Sequence, residues 1–399
     1  MTNRIYSRKL SYNERMFIAA DEICPPVVNQ LFLDGEGFFD LNKWRNAVKT
    51  ASAANPGSRL ILKGHLAGSR WVDSGVTPEV IEIDSGRWDC TGPDGAPFLE
   101  KRLIPREGPT CEVLLLHGNP LRVCFRTHHS VMDGRGTLLW AEDIFRVLRG
   151  EEPSGSHSAI TDTELARSVQ AEYRTPFPRN CIAPTGQPGK PARGVTWKRI
   201  TIPGSFKNIL GQVMVISARE AWKHQQGPVR FSIPVDLRPL DKNVKSTGNL
   251  AIAIYVEVKQ DSTPESISYD IKKQLEGKRE CMIDRFDPLI CHLPIGLLKR
   301  AGNYRIKTGT MNMKYGTSGI LSNMGFIPVN VFKKVFSGGG FNSNILWGIP
   351  PSFENVPFFL GLTSRENTLE IILTLPKVLA DNNRLDNILK SIKNKLIQS

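Results

Sequence analysis

Long apolar runs are missing from this 399-residue sequence. No stretch approaches the roughly 18–20 consecutive apolar residues that a membrane-spanning helix needs. Residues 1–20 carry charges and contain no apolar core of the kind found in secretory signals. We therefore expect neither a membrane span nor a cleaved signal peptide.

Cysteine is scarce and its spacing suggests no pairs. The seven cysteines are odd in number and include no C-x-x-C pair, which disfavours a disulfide framework and a zinc knuckle. Cys124 lies close to a pair of histidines, but its apolar strand favours a buried, inert thiol over a nucleophile. The cysteine content indicates a reducing compartment, and we predict a cytoplasmic protein.

Several common catalytic motifs are also lacking. The sequence contains no G-x-S-x-G elbow, no G-x-x-x-x-G-K-[ST] loop and no H-E-x-x-H pair. Residues 337–340, Ser-Gly-Gly-Gly, predict a flexible turn and not a phosphate cradle, because no helical pattern follows them. These absences disfavour an α/β-hydrolase, a P-loop nucleotidase and a zinc protease.

The net charge of +13 is the unusual figure in the composition. A nucleic acid, an anionic membrane, or an acidic protein or phosphate-bearing substrate would each suit such a charge. A basic, solvated surface without a partner is an equal alternative. The basic residues are scattered and no nucleic-acid motif accompanies them, so nucleic acid ranks last.

The chain is long enough for two domains of ordinary size, and its patterns predict a mixed α/β fold. Residues 151–193 are rich in proline, glycine and serine, which is typical of a crossover between domains. We therefore predict an N-terminal subdomain over 1–150, a crossover over 151–193 and a C-terminal subdomain over 194–399. Strands are expected at 28–33, 60–62, 71–72, 80–83, 111–116, 121–126, 195–202, 229–235, 250–258, 319–327, 358–362 and 369–375. Helices are expected at 40–51, 136–148, 162–173, 205–225, 264–278 and after an Asp381 cap.

Two adjacent histidines, His128 and His129, stand where the strand over 121–126 ends and before the helix over 136–148. Adjacent residues of an extended segment point to opposite faces, so only one of the two can face a given cavity. This divergence disfavours a metal site built from both histidines and Asp133. Two ordinary histidines, one packed and one solvated, are the alternative to a catalytic role.

Residues 128–134, His-His-Ser-Val-Met-Asp-Gly, form an H-H-x-x-x-D-G string. With it the chain resembles the chloramphenicol acetyltransferase-like superfamily, which includes the condensation domains of non-ribosomal peptide synthetases. Further similar motifs follow in the same order as in that superfamily: Val-Asp-Leu-Arg at 235–238, Gly-Asn at 248–249 and Leu-Ser-Asn-Met-Gly at 321–325. The Trp-Gly-Ile-Pro at 347–350 is similar to the end of a plant acyltransferase motif, but the absence of the preceding Asp-Phe-Gly disfavours that subgroup.

The resemblance implies two acetyltransferase-like subdomains in a V, with the active site in a tunnel between them. It implies that His129 is the catalytic residue and that His128 supports the corner. Asp133, turned away through a tight turn at Gly134, would be structural and would form a salt bridge with Arg238. Possible oxyanion or tunnel residues are Ser322, Asn323 and Asn249, although Ser322 is equally well a plain strand residue and Asn249 a turn residue.

The reaction implied is acyl transfer from a phosphopantetheine thioester, on coenzyme A or on an acyl or peptidyl carrier protein. The acceptor would be a small-molecule amine or alcohol, and no permanently bound cofactor or metal is implied. A stand-alone condensation-type enzyme of natural-product biosynthesis is the first hypothesis. An acyl-CoA-dependent alcohol O-acyltransferase is the second, and a non-enzymatic recruitment platform with the same fold is the third.

Overall fold

Two six-stranded sheets organise the residues that the computed structural model describes, 5–86, 88–170 and 172–398. The strands are β1 (Ser7–Lys9), β2 (Val28–Gly37), β3 (Leu60–Lys63), β4 (Arg70–Asp73), β5 (Glu79–Asp84), β6 (Cys111–His117), β7 (Leu121–His128), β8 (Tyr173–Arg174), β9 (Val195–Pro203), β10 (Val229–Asp236), β11 (Ala251–Val258), β12 (Ile283–Asp284), β13 (Gly319–Phe326), β14 (Ser337–Gly338), β15 (Phe341–Ile349), β16 (Phe359–Ser364) and β17 (Thr368–Pro376). The helices are α1 (Tyr12–Asp21), α2 (Leu41–Ala54), α3 (Gly134–Leu148), α4 (Asp162–Val169), α5 (Ile209–His224), α6 (Pro264–Glu276), α7 (Asp287–Ile290), α8 (Ile295–Asn312), α9 (Val329–Val335) and α10 (Arg384–Gln398). The mixed α/β class predicted from the sequence is confirmed.

The first sheet has the order β14-β15-β2-β7-β6-β5. Its central strands β6 and β7 are buried along nearly their whole length, because both faces of the sheet are covered. Val113 and Phe125 pack in the core formed with α2 and α3, whereas Leu114 and Cys124 pack in a second core around Trp347. This explains why the strands read as continuous apolar runs, and it gives β7 a rigid setting from which to present the histidines.

Two strands of this first sheet, β14 and β15, are supplied by the C-terminal half of the chain. β15 pairs antiparallel with β2 from Phe341 opposite Gly37 to Ile349 opposite Gln30. Trp347 on this strand stacks on Phe32, with ring centroids 4.0 Å apart. The two halves therefore share a continuous sheet next to the histidine corner.

The second sheet has the order β11-β10-β13-β16-β17-β9 and packs against α5 and α10. The apolar spacing of the last helix predicts that Leu385, Ile388, Leu389, Ile392 and Leu396 are buried. The structure confirms the last four, whereas Leu385 is only partly buried. The predicted cap is wrong, because the helix begins at Arg384, three residues beyond Asp381. Instead, the carboxylate of Asp381 accepts from the backbone N–H groups of Asn382 and Lys190.

The segment 151–193, which was predicted as a crossover, forms backbone hydrogen bonds to residues on both sides of it in the sequence. The Ser156 N–H donates to the carbonyl of Ala54, and the Ser158 N–H donates to that of Lys245. Helix α4 starts with a capping box but ends at Val169, earlier than expected, and the chain then extends to pair β8 with β12. In the described part of the chain, no helix combines the length and hydropathy needed to cross a bilayer.

Candidate active site

The histidine motif forms a strand–turn–helix corner. β7 ends at His128, and α3 begins six residues later at Gly134. Asp133 is the N-cap of α3, where its Oδ1 accepts from the Gly136 N–H at 2.6 Å. A hydrogen bond between the hydroxyls of Thr127 and Thr137, 2.7 Å apart, joins the strand to the first turns of the helix. Hydrogen bonds among residues 127–137 therefore stabilise the corner, in addition to the contacts from other segments.

His128 is fully buried and acts as an internal support. Its Nδ1 accepts from the Ser130 N–H at 3.2 Å, so the ring hydrogen belongs on Nε2, which lies 3.8 Å from Oδ2 of Asp21. Asp21 also accepts from the Val27 N–H and from Arg102. Burial raises the pKa of Asp21, but its contacts with His128, Arg102 and Val27 outweigh burial and lower the pKa to about 2.

His129 differs from His128 in which ring nitrogen carries the hydrogen. Its Nδ1 lies 3.3 Å from the carbonyl of Met132, which can only accept, so Nδ1 carries the hydrogen and Nε2 is left as an acceptor. The ring packs on Phe17 of α1 with centroids 4.0 Å apart and remains partly exposed. Desolvation by the surrounding protein lowers the pKa of His129 to about 4, so the imidazole is neutral at physiological pH and can accept a proton.

The backbone of His129 is fixed from two directions. Its N–H donates to the carbonyl of Val27 at 3.0 Å. Its carbonyl accepts from Nδ2 of buried Asn249 at 2.7 Å. Asn249, which belongs to the C-terminal half of the chain, thus positions the backbone of His129.

The ion pair predicted between Asp133 and Arg238 is present. Nη1 and Nη2 of Arg238 lie 3.1 and 3.2 Å from the two carboxylate oxygens of Asp133, in a bidentate arrangement. The remaining N–H groups of Arg238 donate to the carbonyls of Ser246 and Gly248 and to the Asp236 carboxylate. All five donors of this buried guanidinium are therefore satisfied, as burial of a charge requires.

Two residues that the sequence analysis did not select hold the turn itself. Arg8 on β1 donates to the carbonyl of Val131 at 3.0 Å, and Asn29 on β2 donates to the carbonyl of Met132 at 2.8 Å. Both lie about a hundred residues before the motif, and no local pattern marks them. Together with Asn249 they fix three successive parts of the motif backbone.

Structural comparison places this corner in a known architecture. A variant of the starter condensation domain of rhizomide synthetase RzmA, solved with C8-CoA and Leu-SNAC, matches with a TM-score of 0.66 at 15% identity over 98% of this chain and 94% of that one. The chain has the condensation-domain fold. The condensation domain of the Monacolin K polyketide synthase MokA matches with a TM-score of 0.64 at 10% identity, covering 99% of this chain and 98% of that one. The epimerization domain from the third module of tyrocidine synthetase B matches with a TM-score of 0.55 at 12% identity, covering 99% and 97%.

These likenesses show that the chain has the fold of condensation domains, which is the fold that the resemblance implied. No protein-family model and no curated protein sequence matches the chain. In this fold, the histidine motif lies at the end of β7, where Asn249 and Arg238 from the C-terminal half bind it. The roles of individual residues therefore depend on the geometry described above.

Ser322 and Asn323 lie on β13, and within the described residues neither side chain hydrogen-bonds to the motif 128–134. Asn323 is exposed, and its Oδ1 accepts from the Gly325 N–H at 2.9 Å. It lines a cavity of about 370 Å³ at the start of α5 together with Asn208 and Arg365, and no residue of the motif 128–134 belongs to that lining. A part for Ser322 or Asn323 at the oxyanion stays a prediction.

The expectation that Gly134 permits a tight turn is wrong. Its φ angle is not in the left-handed region, and an added Cβ would meet no atom within 4 Å. Gly136 is the glycine that the corner needs, because an added Cβ would lie 2.1 Å from the carbonyl oxygen of Thr247. The close approach of α3 to the Thr247–Gly248 turn brings Arg238 within reach of Asp133.

We expect Gly136→Ala to destabilise the protein by about 1–3 kcal/mol, the usual cost of overpacking, because the backbone of Thr247 must move. Gly134→Ala is the matched control and should change the free energy of unfolding by less than about 1 kcal/mol. Urea denaturation of the two variants measures the difference. Equal stabilities would contradict the assigned close approach.

Proposed function

We propose that this protein transfers an acyl group from a phosphopantetheine thioester, on a carrier protein or on coenzyme A, to an amine or hydroxyl acceptor. The observation that carries the proposal is the state of His129. Its Nδ1 hydrogen is committed to the Met132 carbonyl, its Nε2 is an open acceptor, and its backbone is held from both halves of the chain. This is the geometry of a neutral imidazole set to receive a proton.

In the proposed step, the acceptor's N–H or O–H donates a proton to Nε2 of His129 as its nitrogen or oxygen attacks the thioester carbonyl. The tetrahedral intermediate collapses by cleavage of its carbon–sulfur bond. The departing thiolate takes the proton back from His129, which leaves an amide or ester and a free phosphopantetheine thiol. No oxidant, reductant or metal is needed for this balance.

The neighbouring structures support the donor class. A variant of the rhizomide synthetase starter domain was solved in complex with C8-CoA and Leu-SNAC. A net charge of +13 suits an anionic donor such as coenzyme A or an acidic carrier protein. A condensation-type enzyme of natural-product biosynthesis is the function we favour.

The direct test is an acceptor-dependent release of thiol. Octanoyl-CoA and an octanoyl-loaded acyl carrier protein would be offered with a panel of amines and alcohols, and products identified by mass spectrometry. Thiol release that requires both the acceptor and His129 would support the proposal. An amide product would indicate a condensation-type enzyme, and an ester product would indicate an alcohol O-acyltransferase. Octanoyl-thioester binding without acceptor-dependent release would favour the recruitment-platform hypothesis.

The pH dependence of kcat/KM should report the environment of His129. Because desolvation lowers the pKa of His129 from the usual value near 6.5 to about 4, the neutral base persists as the pH falls. With an alcohol acceptor, which does not ionise in this range, activity should be lost only below about pH 5. A midpoint near 6.5 in the acidic limb would contradict the assigned environment.

A further inference from the structure

The imidazole ring of His129 has few polar contacts that could fix its orientation. The bonds of residue 129 to Val27 and Asn249 fix its main chain, but they leave the side-chain torsions free. Among the described residues, the ring forms one hydrogen bond, from Nδ1 to the carbonyl of Met132 at 3.3 Å, which is longer than the roughly 2.7–3.2 Å of ordinary N–H···O bonds. Because the last torsion of a histidine side chain is broad and roughly two-fold, this long bond is a weak restraint against a flipped ring.

The side chain of Phe17 supplies a second restraint. Its ring packs on the imidazole of His129 with centroids 4.0 Å apart and planes inclined at 44°, closer than the roughly 4.5–7 Å typical of aromatic pairs. At this separation, rotation of the imidazole about its last torsion brings its edge into the phenyl ring. Phe17 thus opposes a ring flip and also shields one face of the imidazole from water.

Helix α1 presents Phe17 from a fixed position. The helix begins with a capping box formed by Ser11 and Glu14, which secures its first turn. Ile18, the residue after Phe17, is buried in the same hydrophobic core as Met132. The phenyl ring is therefore carried by a rigid element that packs on the same core as the motif.

Buried polar contacts also join α1 to the turn of the motif. Glu14 forms a buried ion pair with Arg8. Arg8 in turn donates to the carbonyl of Val131 at 3.0 Å. These contacts link the helix to the backbone of the turn and so fix the position of Phe17 relative to His129.

We propose that Phe17 is a positioning residue for His129, an inference that deepens the proposed function and rests on it. The phenyl ring keeps Nδ1 facing the carbonyl of Met132, so that the hydrogen stays on Nδ1 and Nε2 stays free to accept the proton of the nucleophile. Which ring nitrogen carries the hydrogen is set by the partners that the ring faces. Free histidine in water favours the other tautomer, with the hydrogen on Nε2, and in that form Nε2 cannot accept.

The test records the tautomer and the rate separately. The tautomer of His129 is read at neutral pH from the ¹⁵N chemical shifts of its ring in histidine-labelled protein, and His129→Ala assigns its signals among the seven histidines. The wild type should show the Nδ1–H form, and Phe17→Ala should shift the signals toward a mixture of tautomers. With octanoyl-CoA and the best acceptor, Phe17→Ala should lower kcat at least about tenfold, because misorientation of a catalytic group slows the chemical step, and should leave KM within about twofold.

Two control variants separate positioning from a general loss of packing. Phe17→Tyr keeps the aromatic ring and should retain the wild-type tautomer, with kcat within about twofold. Phe177→Ala removes a phenyl ring that packs on Tyr255 and lies outside the corner, and it should change neither readout. If circular dichroism shows that Phe17→Ala does not fold, Phe17→Leu, which keeps apolar volume without the flat ring, replaces it in both measurements.

The possible outcomes are distinct. An Nδ1–H tautomer that persists in folded Phe17→Ala would overturn the positioning role, even if the rate falls. A rise in KM with kcat and tautomer unchanged would also overturn it and would assign Phe17 to substrate binding. No turnover of the wild type would instead refute the proposed function, whereas a tautomer shift in Phe17→Ala would still show that Phe17 orients the ring.

Discussion

Replacing His129 by alanine is expected to lower kcat by about 10²–10⁴-fold, the range that a general base contributes. The variant loses the one open imidazole nitrogen of the corner, while the backbone bonds of residue 129 to Val27 and Asn249 involve only main-chain atoms of that residue. The fold should therefore persist. Steady-state kinetics with the best donor and acceptor pair, together with circular dichroism, check both statements.

His65→Ala is a suitable control, because His65 is exposed and lies outside the corner. It should retain wild-type kcat and KM. If His129→Ala also retained wild-type turnover in folded protein, the catalytic assignment of His129 would be wrong. A rise in KM with unchanged kcat would assign the residue to binding and not to proton transfer.

Replacing Arg238 by alanine is expected to destabilise the protein by about 3–5 kcal/mol, the cost of removing one partner from a buried ion pair. Asp133 would keep its bonds from the Gly136 and Leu250 N–H groups, but its charge would lose the guanidinium. The carbonyls of Ser246 and Gly248 would lose their donors as well. Chemical denaturation measures the change in the free energy of unfolding.

Arg135→Ala is the matched control, since Arg135 is on the same helix α3 as the motif and pairs with Glu142 at an exposed site. Exposed pairs contribute less than about 1 kcal/mol, so this variant should be nearly as stable as the wild type. In a double-mutant cycle, Asp133→Ala/Arg238→Ala should cost clearly less than the sum of the single variants. Additive costs would mean that the two residues do not act as a pair.

The sequence predicted the central part of the fold well. β6, β7 and α3 were expected at 111–116, 121–126 and 136–148, and they occur at Cys111–His117, Leu121–His128 and Gly134–Leu148. The apolar runs of the strands and the amphipathic pattern of α3 are strong because these elements are buried on defined faces. Helices α1 and α8 were not predicted. In α8, glycines face inward and several apolar residues face outward. The two faces therefore differ little in hydrophobicity, and this difference is what a helix prediction depends on.

The histidine motif could be recognised from residues 128–134 alone, because its members are neighbours and their spacing fixes a strand, a turn and a helix. That spacing also separates the two rings, so one histidine is buried and the other partly exposed. The link to Arg238 was implied by the resemblance to the superfamily, and the structure supplies its bidentate geometry. The local pattern thus identified the motif residues 128–134 themselves.

Only the tertiary structure decided what holds that corner in place. Asp21, Arg8, Asn29 and Asn249 reach it from distant segments, and β15 crosses from the C-terminal half to pair with β2. Such contacts depend on strand register and on how sheets and helices pack, and the local residue pattern carries no signal of either. The need for glycine at position 136, and not at 134, has the same origin, since it arises from the backbone of Thr247 more than a hundred residues away.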